Sequence, residues 1–320
     1  MRVGLDPTYV AEAFTRAAAL PRLHALVVAR GGEVRAEKRF RGPSLDTPVN
    51  VKSISKSLVS LLVGIAIDRG LLHGTDQAIA PFFPEHARHI HDPRFQRVRI
   101  GDLLSMRSGL TRTSGEGYGG WVKHRDWLRH VLRAPMIAEP GEAMNYSTGN
   151  THVLSAILTR ATGMSTHAFA REALAEPLGI ALPRWERDPS GLYIGGNQMK
   201  LSPHALVRIG ELVRNEGRHE GTQVVSAAWM RDALMPRTRS MFSGQLYGYG
   251  WFVSEVEGHP MVFAWGYGGQ YIFVVPDLAL TVVTTSATHG GRDFDHLWAI
   301  QGILADCVKA AVQADLAGSG

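Results

Sequence analysis

The chain has one cysteine, six lysines among 320 residues, and no block of like charge. The single Cys307 excludes an intrachain disulfide and any multi-cysteine metal site. It lies in an apolar C-terminal stretch and reads as a small core residue rather than a thiol catalyst. Net charge is +5, carried mostly by scattered arginines. Without a run of five or six basic residues, this is a solvated surface and not a nucleic-acid footprint. The longest near-apolar run, Leu58–Ile67, is too short to cross a bilayer, so no membrane partner is expected. The opening "MRVGLDPTYV" lacks the basic-then-apolar layout of a signal peptide. As written, the chain is expected to be cytoplasmic, or periplasmic or secreted if a leader has been removed. Gly-x-Ser-x-Gly is absent, which removes the usual α/β-hydrolase elbow. Gly115–Gly120 follows no strand and is no dinucleotide fingerprint. His86, His89, His91 and Asp92 lack the further histidine of a zinc signature and read as a solvated loop. No metal and no organic cofactor is expected.

What is present is a large apolar fraction, 45%. That suffices for one large domain or for two lobes around a cleft. Pro7–Leu20 reads as a helix between two prolines. "LHALVVARGGEVRAEKRF" reads as a hairpin about Arg30-Gly31-Gly32. "SKSLVSLLVGIAIDRG" is apolar nearly all round, which marks a buried helix ending near Gly70. "THVLSAILTRATG" gives a helix ending at Gly163. "SPHALVRIGELVRNEG" gives another, with Ser202 as N-cap, Pro203 in its first turn and Gly217 beyond its end. From Gly248 onward three to four strands alternate with turns, and a final helix closes the chain. Strands at both ends and helices between them predict an α+β fold. Its antiparallel sheet draws strands from both chain ends and is flanked by the terminal helices. The expected division is a sheet lobe of residues 1–74 and 241–320 and a mainly helical lobe of 75–240, with a cleft between.

Lysine is outnumbered by arginine more than fourfold, so a lysine at a special place draws notice, because it can lose its proton and arginine cannot. Ser53-Ile54-Ser55-Lys56 is a Ser-x-x-Lys tetrad. On a helix, positions i and i+3 share a face, so the amine reaches the hydroxyl without long-range folding. Burial and the positive helix end both disfavour ammonium, and a neutral Lys56 would be a base for Ser53. Ser55, Ser57 and Ser60 have no lysine three residues on. Tyr146, in "AEPGEAMNYSTGN", sits between a turn and a helix start. A tyrosine beside an ammonium has a depressed pKa and can relay protons. "FAWGYGGQYIFVVP" is a glycine-rich turn entering a strand, where an N–H can approach a developing oxyanion. "TRTSGEGYGGWV" carries Tyr118 and Trp121 in a glycine-rich stretch that would form a mobile rim over an apolar acyl group.

In this order the motifs resemble the serine β-lactamase/penicillin-binding-protein superfamily. The resemblance is strongest to its class C-like branch of β-lactamase-related hydrolases, with its esterases, D-amino-acid peptidases and 6-aminohexanoate-oligomer hydrolases. It runs from about Leu23 to Ser286 and takes in "LLSMRSGL", "NYSTGNTHVLSAIL" and "GGNQMKLSPHALVRIGEL"; "GYGGQYIFVVP" looks most like the 6-aminohexanoate-hydrolase type. The resemblance implies a β-lactamase/transpeptidase-like fold and an acyl-enzyme mechanism. Ser53 would be the nucleophile, Lys56 and Tyr146 would share the acid and base work, and the N–H groups of Ser53 and Tyr267 would form the oxyanion hole.

Two departures stand out. The superfamily's Tyr-x-Asn reads Tyr146-Ser147-Thr148, so the usual Asn amide is missing unless Asn150 substitutes; Thr148 and Asn150 are both expected at the substrate. Its Lys-Thr-Gly reads Trp265-Gly266-Tyr267, which removes the lysine that holds a substrate carboxylate. Trp265, Gly266 and Gly268 are therefore expected to line a site for small esters or amides without an obligatory carboxylate. The alternatives are a true β-lactamase or D-Ala carboxypeptidase, and a non-catalytic acyl-binding or sensor protein.

Overall fold

The strand Leu23–Arg30 shows why this fold has two cores. Its side chains alternate, and Leu26 and Val28 enter one apolar cluster while Val27 and Ala29 enter another. A strand covered on both faces needs a continuous apolar run, which "ALVVA" supplies. Gln270–Val275 and Leu280–Ser286 are buried along their whole length for the same reason.

The computed structural model describes residues 4–318. These strands lie inside an eight-stranded antiparallel sheet. Across it run Glu33–Arg39, Leu23–Arg30, Leu280–Ser286, Gln270–Val275, His259–Gly266, Phe252–Val256, Leu246–Tyr247 and Thr238–Arg239. The first strand of the chain thus pairs with the last, Val27 opposite Val283. The helices Pro7–Ala19 and Phe294–Gly318 pack together over one face. Cys307 is buried there, and burial pushes its thiol up to about 12.

The other face carries the helices Pro203–Arg214 and Ile54–Asp68. Ser202 caps the former by accepting the Ala205 N–H, and Pro203 follows, as the sequence predicts. This helix lies on the sheet, and Thr238–Arg239 extends the sheet's edge. Both segments fall within the expected helical stretch 75–240 but pack with the sheet. The helical lobe is built around Thr148–Thr162, which stops at Gly163 with φ 68°. Ile54–Asp68 lies between that helix and the sheet, and all its residues from Ile54 to Ala66 are buried. Among the described residues no helix is long and apolar enough to cross a membrane.

Candidate active site

The buried helix begins just after a strained turn. Lys52 has φ 52°, a left-handed conformation that a non-glycine residue adopts at a cost. The Asn50 side chain holds it there by accepting the Lys52 N–H at 2.9 Å, and Gln198 in turn accepts from the Asn50 amide. Ser53 follows as the helix-capping residue and is half-buried, facing a pocket. Two neighbouring serines are already occupied: Ser55 donates to Lys52 O at 2.6 Å and Ser57 to Gly250 O at 2.6 Å.

Lys56 is one helical turn beyond Ser53, and its Nζ lies 3.1 Å from Ser53 Oγ. It also contacts Gly196 O at 2.7 Å and Thr148 Oγ1 at 3.2 Å. The side chain is fully buried, and burial lowers its pKa to about 7. As an amine, Nζ has two protons and one lone pair. The Gly196 carbonyl can only accept and so takes one proton. Thr148 can accept the other while donating to Ser114 Oγ, 2.9 Å away. The lone pair is then left facing the Ser53 hydroxyl, the arrangement a general base needs.

Thr148 is placed by a borrowed cap. Ser147 makes no side-chain cap of its own helix. Instead Ser114 Oγ accepts the Thr148 N–H at 2.7 Å and Thr113 Oγ1 accepts the Gly149 N–H at 2.8 Å. Tyr146, just before this helix, lines the pocket, with Lys56 Nζ 5.0 Å from its ring centre. The Tyr146 side chain is half-buried, with its hydroxyl beside the Ser53 side chain. Burial raises this phenol to about 12, and the Ser53 side chain only partly offsets the rise. The expected depression is corrected: with Lys56 neutral there is no ammonium beside the ring to produce it.

The glycine-rich turn closes the far side. Gly266 ends its strand against the nucleophile turn, where an added Cβ would meet Val51 O at 2.2 Å. Gln270 is buried and anchors the turn, donating to Ser286 O at 2.8 Å and to Tyr267 O at 3.4 Å. Among the described residues neither Ser53 N–H nor Tyr267 N–H donates to a backbone acceptor. Trp265, Tyr267 and Gly268 line the pocket, as do Tyr118 and Thr148. Its volume is about 620 Å³, within the range of small-molecule sites.

Three of the expected contacts are absent: Gly266 packs against the Val51 carbonyl instead of lining the pocket, and Trp121 and Asn150 are buried. Trp121 is buried, packs on Trp127 and His152, and donates Nε1 to Trp127 O. Glu116–Trp121 is a short helix, so the stretch is an ordered wall in which Tyr118 faces the pocket and Trp121 supports it. Asn150 is also buried: two residues past Thr148 the helix has turned it away, and its Oδ1 accepts from Ser108 Oγ at 3.0 Å. Sequence reasoning missed Ser114, Gly196 and Asn197, whose amide donates to Tyr118 Oη at 3.2 Å. The repeated glycines of "GGNQMK" were the one sequence signal for Gly196 and Asn197; a Cβ on Gly196 would meet Thr151 Oγ1 at 1.9 Å.

Comparisons with known proteins bear on the family and the fold. The Beta-lactamase family profile matches residues 16–305. The chain is 25% identical over 317 residues to a 6-aminohexanoate-dimer hydrolase of Paenarthrobacter ureafaciens, covering 89% of this chain and 78% of that protein. It is 31% identical over 176 residues to esterase EstB of Burkholderia gladioli, covering 48% and 44%. A putative beta-lactamase from Bacteroides dorei superposes with a TM-score of 0.78 at 15% identity, covering 96% and 99% of the two chains.

Proposed function

The chain belongs to the beta-lactamase family of serine hydrolases, and on that premise we propose that Ser53 is the nucleophile with which it cleaves an ester or amide bond of a small substrate. One observation carries the reading: a buried lysine with a pKa near 7 has its nitrogen 3.1 Å from a serine hydroxyl that faces an open pocket.

The Lys56 amine takes the Ser53 proton as Oγ attacks the substrate carbonyl carbon. The resulting oxyanion is held by the N–H groups of Ser53 and Tyr267, each such donor lowering the barrier by about 3 kcal/mol. Tyr146, protonated at neutral pH, gives its proton to the leaving oxygen or nitrogen and regains one from the Lys56 ammonium. The bond to the leaving group breaks, and an acyl-Ser53 ester remains. Water then attacks the ester, Lys56 accepts its proton, and Ser53 recovers a hydroxyl as the acid departs. Trp265 stands where a carboxylate-holding lysine is expected, which favours esters and amides over penicillins.

The test is labelling with a fluorophosphonate probe together with turnover of p-nitrophenyl butyrate. Both are expected in the wild type and both are lost in Ser53→Ala. Labelling without turnover would indicate a sensor, and nitrocefin hydrolysis outpacing ester hydrolysis would indicate a β-lactamase.

A further inference from the structure

The pocket that holds the catalytic groups also has an unusual exposed surface. Among the described residues the exposed large aromatics are Phe242, Tyr267, Phe294 and Trp298. Single exposed apolar side chains are ordinary, but a cluster marks a binding surface. Phe242, Tyr267 and Phe294 line the pocket that holds Ser53, and the ring of Trp298 lies 6.3 Å from that of Phe294. Phe242 is 65% exposed and Phe294 53%, and neither belongs to the core packing. They come from separate elements, the turn after Ser240 and the first turn of the final helix. The same pocket is also lined by the apolar side chains of Phe252, Trp265 and Leu297. Apolar surface is therefore available to a substrate both within the pocket and at the exposed rings.

Charge adds a second constraint. Arg112 lies 5.3 Å from the ring centre of Phe242, and Arg292 lies 5.8 Å from that of Phe294. The charged lining is Arg22, Lys52, Arg112 and Arg292 against Glu116 and Asp293, an excess of cations. A chain lying on this surface would meet positive charge at its end. An ammonium there would be repelled, whereas a methyl group or an anion would not.

We propose that the mouth binds an aliphatic chain of the substrate, and that this chain is uncharged or anionic at its far end. The inference rests on the serine-hydrolase reading and names the substrate class within it. It separates this site from one built for ω-amino acyl groups, whose far end is an ammonium.

The experiment compares kcat/KM for p-nitrophenyl acetate through octanoate and for ethyl through octyl butyrate, all below their aggregation limits. Each added methylene gains from apolar burial, so one of the two series is expected to rise at least about tenfold with length. In the Phe242→Ser/Phe294→Ser double variant the long-to-short ratio in that series falls about tenfold. p-Nitrophenyl 6-aminohexanoate is turned over at least about tenfold more slowly than the hexanoate, and the gap narrows in Arg112→Gln/Arg292→Gln. Decanoate binding, measured by calorimetry on Ser53→Ala, weakens when the two phenylalanines are also replaced. Flat or falling length profiles in both series, or an ω-amino ester turned over as fast as its alkyl counterpart, would overturn the inference. Decanoate binding with no Ser53-dependent turnover would overturn the hydrolase reading instead.

Discussion

At the residue scale, Lys56 sets function against stability. In the unfolded chain its amine titrates at 10.5, and in the folded protein burial brings it to about 7. The unfolded state therefore holds the extra proton at neutral pH, and folding is disfavoured by up to about 4 kcal/mol. The penalty is full below pH 7 and disappears as pH rises through 10.5. Lys56→Met removes it but leaves the Gly196 carbonyl without its donor, a cost of about 1–3 kcal/mol. The expected balance is an inactive protein that melts several degrees higher at pH 7, with the advantage shrinking toward pH 10; calorimetry at the two pH values checks it. In the wild type kcat/KM should rise with pH through about 7 as Lys56 loses its proton. Lys56→Arg should abolish that limb along with the activity, since guanidinium stays charged. Tyr146→Phe is expected to lower kcat by about 10²–10⁴ without moving the Lys56 limb, because the phenol acts protonated. Ser53 and Lys56 were legible in the sequence because one helical turn sets their distance. Gly196 was not, and Thr148 was expected at the substrate rather than on Lys56: the two partners that aim the lone pair lie 140 and 92 positions from Lys56, and only folding brings them together.

At the element scale, the site depends on how closely a strand end approaches a helix start. Gly266 permits that approach, because any side chain there would press on the Val51 carbonyl two residues before Ser53. Gly266→Ala should move the Tyr267 N–H away from the nucleophile. A displacement near 1 Å lowers kcat/KM by about 10²-fold, and the overpacking costs about 1–3 kcal/mol. Kinetics and melting of this one variant test both effects, and Gly258→Ala serves as a control, since its added Cβ meets no atom within 4 Å and its strain, at φ 80°, is conformational alone. Helix caps such as Ser202 and Gly163 were readable because they are local. Trp121 and Asn150 were misjudged for one reason. Each lies near a residue that faces the pocket, but helical rotation points it into packing, and adjacency in sequence does not carry that information.

At the scale of the whole molecule, the sheet is completed by pairing strands from the two ends of the chain, and Arg30 is the fastening. It ends the first long strand and is buried, and its Nε donates to Leu278 O at 3.0 Å. Its Nη1 donates to Gly4 O at 2.5 Å and to Ala311 O at 3.0 Å, while Nη2 pairs with Asp315 at 2.5 Å. One guanidinium therefore ties the sheet to the chain's start and to the final helix. The α+β layout was visible in the order of strands and helices. The fastening was not, because an arginine in an apolar strand gives no hint of which carbonyls surround it, nor was the packing of Pro203–Arg214 on the sheet, because its apolar face fits a sheet as well as a helix bundle. Arg30→Leu fills the space but leaves several buried carbonyls without donors, a loss of about 3 kcal/mol or more. The loss should be regional. Hydrogen exchange is expected to quicken in Pro7–Ala19 and Phe294–Gly318, which pack on each other, while Ile54–Asp68, enclosed in the other core, keeps its protection. Equal loss of protection in all three helices would mean that the two faces of the sheet unfold as one unit and that Arg30 fastens the whole fold rather than its terminal layer.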